Sequence, residues 1–406
     1  MRPWPAPAPQ PPPDDRSRPG KRVTTEARSE AQVVERLWYG EGRAARLARL
    51  GLAPLEILYG AAVAARSRLF ELGVLRSESP ALPALSVGNL TVGGTGKTPV
   101  AAWIAGELRL RGAHPAIVLR GYGADEPLVH AVLNPGLPVI ADADRLAGIA
   151  AARERGADVA VLDDAFQHRR AARVADVVLL SADRWTARRR HLLPVGPWRE
   201  PIAALRRASL LIVTRKAANG ARAQAVLDAV RPAAPMLPSA VVLLAAGELR
   251  VAAGAPPGDR APLPFSRITD ASVFAISAIG DAGAFHAQLV RGGCRLEPPP
   301  AAYPDHYAYD DDDVRRLTRE AESADYVLCT LKDAVKLAPR WPRVGPPLWY
   351  VSQRVVPEFG AHAVERVLET VLAARLPEAR DAHHRTAGPG RRTDTPHGHR
   401  PPTADR

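Results

Sequence analysis

The sequence predicts an α/β chain: a mostly parallel sheet with helices on both faces, a second smaller α/β lobe, and a helical segment ahead of both. Three observations carry this. From residue 82 onward, short apolar runs alternate with stretches of helical spacing, as in a sheet wound through crossover helices. The alternation resumes beyond a Pro- and Gly-rich stretch at about 252–264. Residues 32–75 differ, with leucines and arginines interleaved over more than forty positions and no strand-like run.

The elements follow in order. Residues 32–75 read as helix, with Leu47, Leu50, Leu55, Ile57, Leu58 and Leu69 among Arg43, Arg46, Arg49, Arg66 and Arg68. Such a basic, apolar surface suits an anionic membrane, and equally a helix packed on its own domain. Strands are predicted at Ala84–Val87, Pro115–Leu119, Pro138–Ala141, Asp158–Leu162, Val177–Leu180 and Leu210–Val213. A helix follows near 217–231. The second lobe has strand candidates Val273–Ala278, Tyr326–Thr330 and Leu348–Val351, and a closing helix from about Glu358 to Leu376. We divide the chain into a tail (1–31), N-terminal membrane-associating helices (32–80), a nucleotide lobe (81–235), a second lobe (236–376) and a second tail (377–406). Both tails are rich in Pro, Arg and small polar residues, cannot bury enough apolar surface to offset ordering, and read as disordered.

Composition narrows the function. Two cysteines, Cys294 and Cys329, argue against a disulfide framework and suit a reducing cytoplasm. No run of about eighteen apolar residues stands out, so no bilayer-spanning segment is expected. A net charge of +12 points to acidic partners: anionic lipid, phosphorylated substrates or nucleic acid. Nucleic acid is the weakest of these, because the chain has few aromatics for base stacking and no recognised binding module. Almost all the positive charge is arginine; the lysines are Lys21, Lys97, Lys216, Lys332 and Lys336.

Lys97 lies in S-V-G-N-L-T-V-G-G-T-G-K-T-P-V (Ser86–Val100), between the first predicted strand and a helix at Ala101–Arg111. A phosphate loop must sit there, with its backbone N–H groups at a helix N-terminus. Thr91, Val92, Gly93, Gly94, Thr95, Gly96, Lys97 and Thr98 form the candidate nucleotide-binding loop. Its glycines leave room for phosphate oxygens, Lys97 suits the β- and γ-phosphates, and the Thr98 hydroxyl suits Mg²⁺. Thr91 stands where the usual pattern begins with glycine, which matters only if that position needs a positive φ. Asp163 and Asp164 end an apolar strand, the place of the carboxylate that orients Mg²⁺ directly or through water. These features make the expected fold P-loop NTPase-like.

The combination resembles the tetraacyldisaccharide 4′-kinase family of lipid A biosynthesis, whose phosphate loop carries threonine at that first position. The similarity extends in order through R-G-Y-G (Arg120–Gly123), D-E-P (Asp125–Pro127), D-D-A-F-Q-H-R-R (Asp163–Arg170), L-L-P-V-G-P-W-R-E-P (Leu192–Pro201), Y-P-D-H-Y (Tyr303–Tyr307) and T-L-K-D-A-V-K-L (Thr330–Leu337). It covers about residues 35–375. Three positions depart from the family pattern: Leu331 replaces a glutamate, Ala165 a glycine, and Ala124 a glycine in a shortened segment before Asp125.

The resemblance implies transfer of the ATP γ-phosphoryl group to the 4′-hydroxyl of a tetraacyldisaccharide 1-phosphate, giving lipid IV-A. It implies ATP and Mg²⁺ as cofactors, an acylated disaccharide phosphate as partner, and a peripheral place on the cytoplasmic face of the inner membrane. It also implies an Asp–His pair, Asp125 and His306, that accepts the hydroxyl proton beside Lys97. Arg120, Gln167, His168, Arg199 and Glu200 are the expected substrate-binding residues, with Arg199 suited to phosphate charge in the transition state. Lys332 and Lys336 are left without a role, and Asp310–Asp313 reads as a solvated helix start. A P-loop ATPase or GTPase that drives conformational change remains the alternative enzyme.

Overall fold

The computed structural model describes residues 33–121, 123, 125–186 and 190–375. Both tails, Tyr122, Ala124 and Arg188 therefore lie outside the described residues, as does Leu376, the expected end of the closing helix.

One eleven-stranded sheet runs through the molecule in the order β3-β2-β4-β1-β5-β6-β7-β11-β10-β8-β9. The strands are β1 (Ala84–Asn89), β2 (Pro115–Leu119), β3 (Val139–Ala141), β4 (Val159–Asp163), β5 (Ala175–Ser181), β6 (Leu210–Arg215), β7 (Ser239–Ala253), β8 (Val273–Ser277), β9 (Ala301–Ala302), β10 (Tyr326–Thr330) and β11 (Leu348–Phe359). Every pair is parallel except β7 with β11.

Parity along the strands shows why the sequence folds this way. Val177, Leu179, Leu210 and Ile212 face a core shared with helices α2 (Lys97–Leu110) and α9 (Ala361–Ala373). Their neighbours Val178, Leu180, Leu211 and Val213 face the opposite side, against α5 (Gly220–Val230). Near β2 and β4, that second side is covered by Ile149 and Ala152 of α4 (Arg145–Glu154). A strand buried on both faces reads as a continuous apolar run, and that signal located these strands. The second lobe repeats the plan. Phe274 and Ile276 pack with Leu317 of α7 (Asp311–Glu320) and Leu337 of α8 (Leu331–Leu337). Val273 and Ala275 pack with Phe285 and Leu289 of α6 (Ala282–Arg291). The acidic run is a helix start: Asp310 and Asp313 close a capping box at α7.

The structure departs from expectation at three places. The division at 235/236 falls just before β7, a 15-residue strand the sequence reading missed. Its first residues pair with β6 and nearly its whole length pairs with β11, so the two lobes share a continuous sheet. The closing helix starts at Ala361, because β11 continues to Phe359 and Gly360 turns the chain at φ +70°. The N-terminal segment comprises two helices, residues 33–39 and α1 (Arg43–Glu71), separated by Gly40–Gly42. Buried Arg49 caps the first piece by bonding the Leu37 and Gly40 carbonyls, a favourable place for a cation. Lastly, α1 is long and apolar enough, by length and composition alone, to cross a bilayer, contrary to the expectation of no such segment. Three charged or polar side chains nevertheless tie one side of it to the body. Tyr59 donates to the Arg199 carbonyl, Glu56 accepts from the Leu192 amide, and Arg66 donates to the Gln167 carbonyl.

Candidate active site

The phosphate loop leaves the end of β1 and feeds α2. Gly93 and Gly96 take the positive φ values, +107° and +83°, and Thr91 does not. Thr91 instead bridges Trp198, while Val92 donates to the Pro197 carbonyl and the Arg199 amide donates to Leu90. The opening of the loop is thus held as a short extended pair, which needs no glycine. The same pairing carries Arg199 to the site.

Two carboxylates at the end of β4 have different partners. Asp163 is buried, accepts from the Thr98 hydroxyl at 3.1 Å and lies 2.9 Å from His130 Nε2. Burial pushes its carboxyl up, but His130, Lys97 and Thr98 outweigh this and hold it below the ordinary value. Asp164 sits at φ 51°, 3.8 Å from Lys97 Nζ, and receives Arg199 Nη1 at 3.0 and 3.1 Å on its two oxygens. An aspartate in the left-handed region stores strain of about 1–3 kcal/mol, a feature that concentrates at functional sites.

Asp125 opens α3 (Asp125–Leu133), and His306 reaches it from the second lobe, with Nδ1 3.4 Å from Oδ1. Asp125 is 6% exposed and His306 36%. Burial pushes the Asp125 carboxyl up, yet the His306 hydrogen bond and Lys332 bring it down to about 2. The Asp125 hydrogen bond in turn raises the imidazole, against burial. Gly123 makes this pairing sterically feasible. A Cβ there would stand 2.3 Å from Asp125 Oδ1 and 3.1 Å from His306 Nδ1. Gly123→Ala is expected to part the pair and lower the imidazole's pKa, with thermal stability little changed; an NMR titration of His306 and a melting curve check this.

The remaining expected residues are spread around this centre. Gln167 donates to the Asn89 carbonyl at 2.9 Å, tying α1's partner loop to the phosphate-loop strand. His168 is half-buried, its Nε2 without a hydrogen-bond partner. Arg120 lies exposed just beyond β2. Glu200 is 4% exposed and accepts from Arg207 at 2.8 Å. Four site neighbours escaped the sequence reading. They are His130, the largely buried Arg145 whose charge bears on Asp163 and Asp164, Glu126, and Lys332 at 3.7 Å from Glu126. Lys336 donates to the Tyr307 carbonyl, bracing the loop that carries His306.

The residues fit Mg²⁺. Among the described residues no cluster of three His, Cys, Asp or Glu side chains is placed to hold a metal. Mg²⁺ at phosphates, however, takes one or two protein oxygens, the rest coming from phosphate and water. Asp163 Oδ1 is buried without a partner beside the Thr98 hydroxyl, which is that kind of site.

A lysine-bearing phosphate loop, a strand-end carboxylate and a carboxylate–imidazole pair on the helix whose His130 contacts that carboxylate define a P-loop phosphotransferase. A family model described as LpxK, tetraacyldisaccharide-1-P 4′-kinase, matches residues 48–132 and 123–373. A tetraacyldisaccharide 4′-kinase of Anaeromyxobacter sp. (strain Fw109-5) is 37% identical over 340 residues, 76% of this chain and 88% of the relative. One of Halorhodospira halophila (strain DSM 244 / SL1) is 35% identical over 363 residues, 84% and 98% of the two chains. The crystal structure of the "apo" form of LpxK from Aquifex aeolicus in complex with ATP is similar at a TM-score of 0.60 and 27% identity, covering 79% of this chain and 99% of that one. The chain belongs to the tetraacyldisaccharide-1-P 4′-kinase family.

Proposed function

We propose that the residues above carry out the family's reaction in the following roles. The chain is an ATP-dependent kinase that moves the γ-phosphoryl group to the 4′-hydroxyl of tetraacyldisaccharide 1-phosphate, forming lipid IV-A. One observation carries the assignment of roles: Asp125, paired with His306 from the other lobe, opens the helix whose His130 lies 2.9 Å from Asp163, itself bonded to Thr98. A sugar hydroxyl attacks well only as its proton leaves, and a neutral imidazole held by a carboxylate can take it. His306 is the more exposed member and is raised, while Asp125 stays ionised; we assign the proton to the imidazole and its stabilisation to the carboxylate.

The loop amides of residues 93–98 and Lys97 would cradle the phosphates. Thr98 and Asp163 would hold Mg²⁺, which would supply charge neutralisation at the phosphates; Asp164, also expected at the metal, is taken up by Lys97 and Arg199. Asp164 keeps Lys97 and Arg199 aimed at the same place, with Arg199 steadying charge on the transferring group. Arg120, Gln167, His168 and Glu200 are assigned to the acceptor side. The lobe spanning 81–235 carries the nucleotide, and the lobe spanning 236–376 closes over it.

We further assign peripheral binding at the cytoplasmic face of the inner membrane to α1. Leu47, Leu50, Ile57 and Leu58 are exposed by 66–71%, and Arg43, Arg46, Arg66 and Arg68 lie on the same helix. Changing those four apolar residues to serine is expected to lower co-sedimentation with anionic vesicles by about tenfold or more. Unchanged sedimentation would remove α1 as the anchor. The reaction is tested by mass spectrometry of the lipid after incubation with ATP and Mg²⁺: the acceptor gains one phosphate, and the gain disappears with a 4′-deoxy acceptor.

A further inference from the structure

Arg184 lies just beyond β5, and none of the roles above uses it. Its side chain is only 20% exposed, yet it touches three segments far apart in sequence. One amino group donates to the carbonyl of Gly280, in the turn between β8 and α6 of the second lobe. The other pairs with Glu35 Oε1 at 3.1 Å, in the N-terminal helix. The guanidinium lies over the Tyr39 ring, 4.8 Å from its centroid. Its Nη1 also stands 3.8 Å from where a Cβ on Gly93 would be, in the phosphate loop.

The turn it holds rests on that loop. A Cβ on Gly280 would stand 3.1 Å from the Gly94 nitrogen and 3.5 Å from Gly93 Cα, a tight fit that glycine at 280 relieves. Besides the shared sheet and the packing of α9 on α2, the second lobe approaches the phosphate-loop end of the nucleotide lobe at two places. One is the Gly280 turn on Gly93 and Gly94; the other is His306 on Asp125, with Lys332 on Glu126 nearby.

We propose that Arg184 is a positioning residue that latches the second lobe onto the phosphate loop, and so brings His306 to Asp125. This rests on the kinase reading above. The planar guanidinium serves a carbonyl, a carboxylate and an aromatic face at once, which a lysine ammonium cannot reproduce. In this role Arg184 acts through the seating of the lobe and not on the reacting atoms.

The test pairs a distance with a rate. Arg153 and Arg319, both exposed and on different lobes, are changed to cysteine and spin-labelled; the native Cys294 and Cys329 are buried. Double electron–electron resonance on the full chain is expected to give one narrow distance with Arg184 present. Arg184→Ala should broaden or lengthen it and lower kcat by about tenfold, while far-UV circular dichroism stays native. Arg184→Lys should fall between the two on both readouts, and it serves if the alanine variant does not fold. An unchanged distance overturns the proposal, whether or not kcat falls, and so does a changed distance with native kcat. If the unsubstituted chain transfers no phosphate, the kinase reading fails, while the distances still decide the latch.

Discussion

Lys97→Ala is expected to abolish phosphoryl transfer while leaving the fold intact. Lys97 is the first residue of α2 and is largely shielded, with its ammonium 3.8 Å from Asp164. Asp164 keeps Arg199 when Lys97 is removed, so no carboxylate is left buried and unpaired. The expected stability change is within about 1 kcal/mol, as for a partly exposed ion pair. The transition state is expected to fare differently, because in the proposed role Lys97 is a compact cation at the transferring group. Removing one such group costs about 10²–10³ in rate, and weaker nucleotide binding adds to this. Lys97→Arg should not restore activity, since a planar guanidinium does not occupy the place of an ammonium on a flexible stem. Steady-state transfer alongside thermal unfolding separates the two effects; activity near the native level in Lys97→Ala would mean the nucleotide binds elsewhere.

Asp125→Asn is expected to lower turnover by about 10²-fold or more and to move its pH dependence. His306 accepts a proton only when neutral, so the rate rises as pH increases through its pKa. Asp125 holds that pKa above the ordinary 6.5; burial and Lys332 oppose, and Asp305 assists. The acid limb of the native profile should therefore fall above pH 6.5. In the asparagine variant the raising partner is gone while burial and Lys332 remain, so the limb moves to lower pH as the plateau drops. His306→Ala should remove the limb. A native-like limb in Asp125→Asn would show that the group titrating there is not the paired imidazole.

Much of this arrangement was legible in the sequence, for identifiable reasons. Nine strands announced themselves because burial on both faces, or on one face of the second lobe, demands apolar runs. β7 did not. Its A-A-G-E-L-R-V-A-A half is rich in alanine, a weak strand former, and contains Gly247. What makes it a strand is its antiparallel partner β11, more than ninety residues away. The loop, Asp163 and Asp164 were readable because their chemistry depends on a local strand–loop–helix unit. Asp125 and His306 came from family resemblance, and no local pattern marks them. His130, Arg145 and Lys332 were hidden for the same reason: helices and lobes that fold back place each of them. The role of Thr91 became clear only with backbone angles, since the positive φ lies at Gly93 and Gly96.

The account stands most directly on where the γ-phosphate goes. The purified chain would be given γ-labelled ATP, Mg²⁺ and tetraacyldisaccharide 1-phosphate in detergent micelles, and the label followed into lipid and into inorganic phosphate. The expected result is label in the lipid at the 4′-position, in step with ATP consumed, and none with Lys97→Ala. ATP consumed with the label released only as inorganic phosphate would contradict it, and would identify the chain as a nucleotide hydrolase built on this kinase fold.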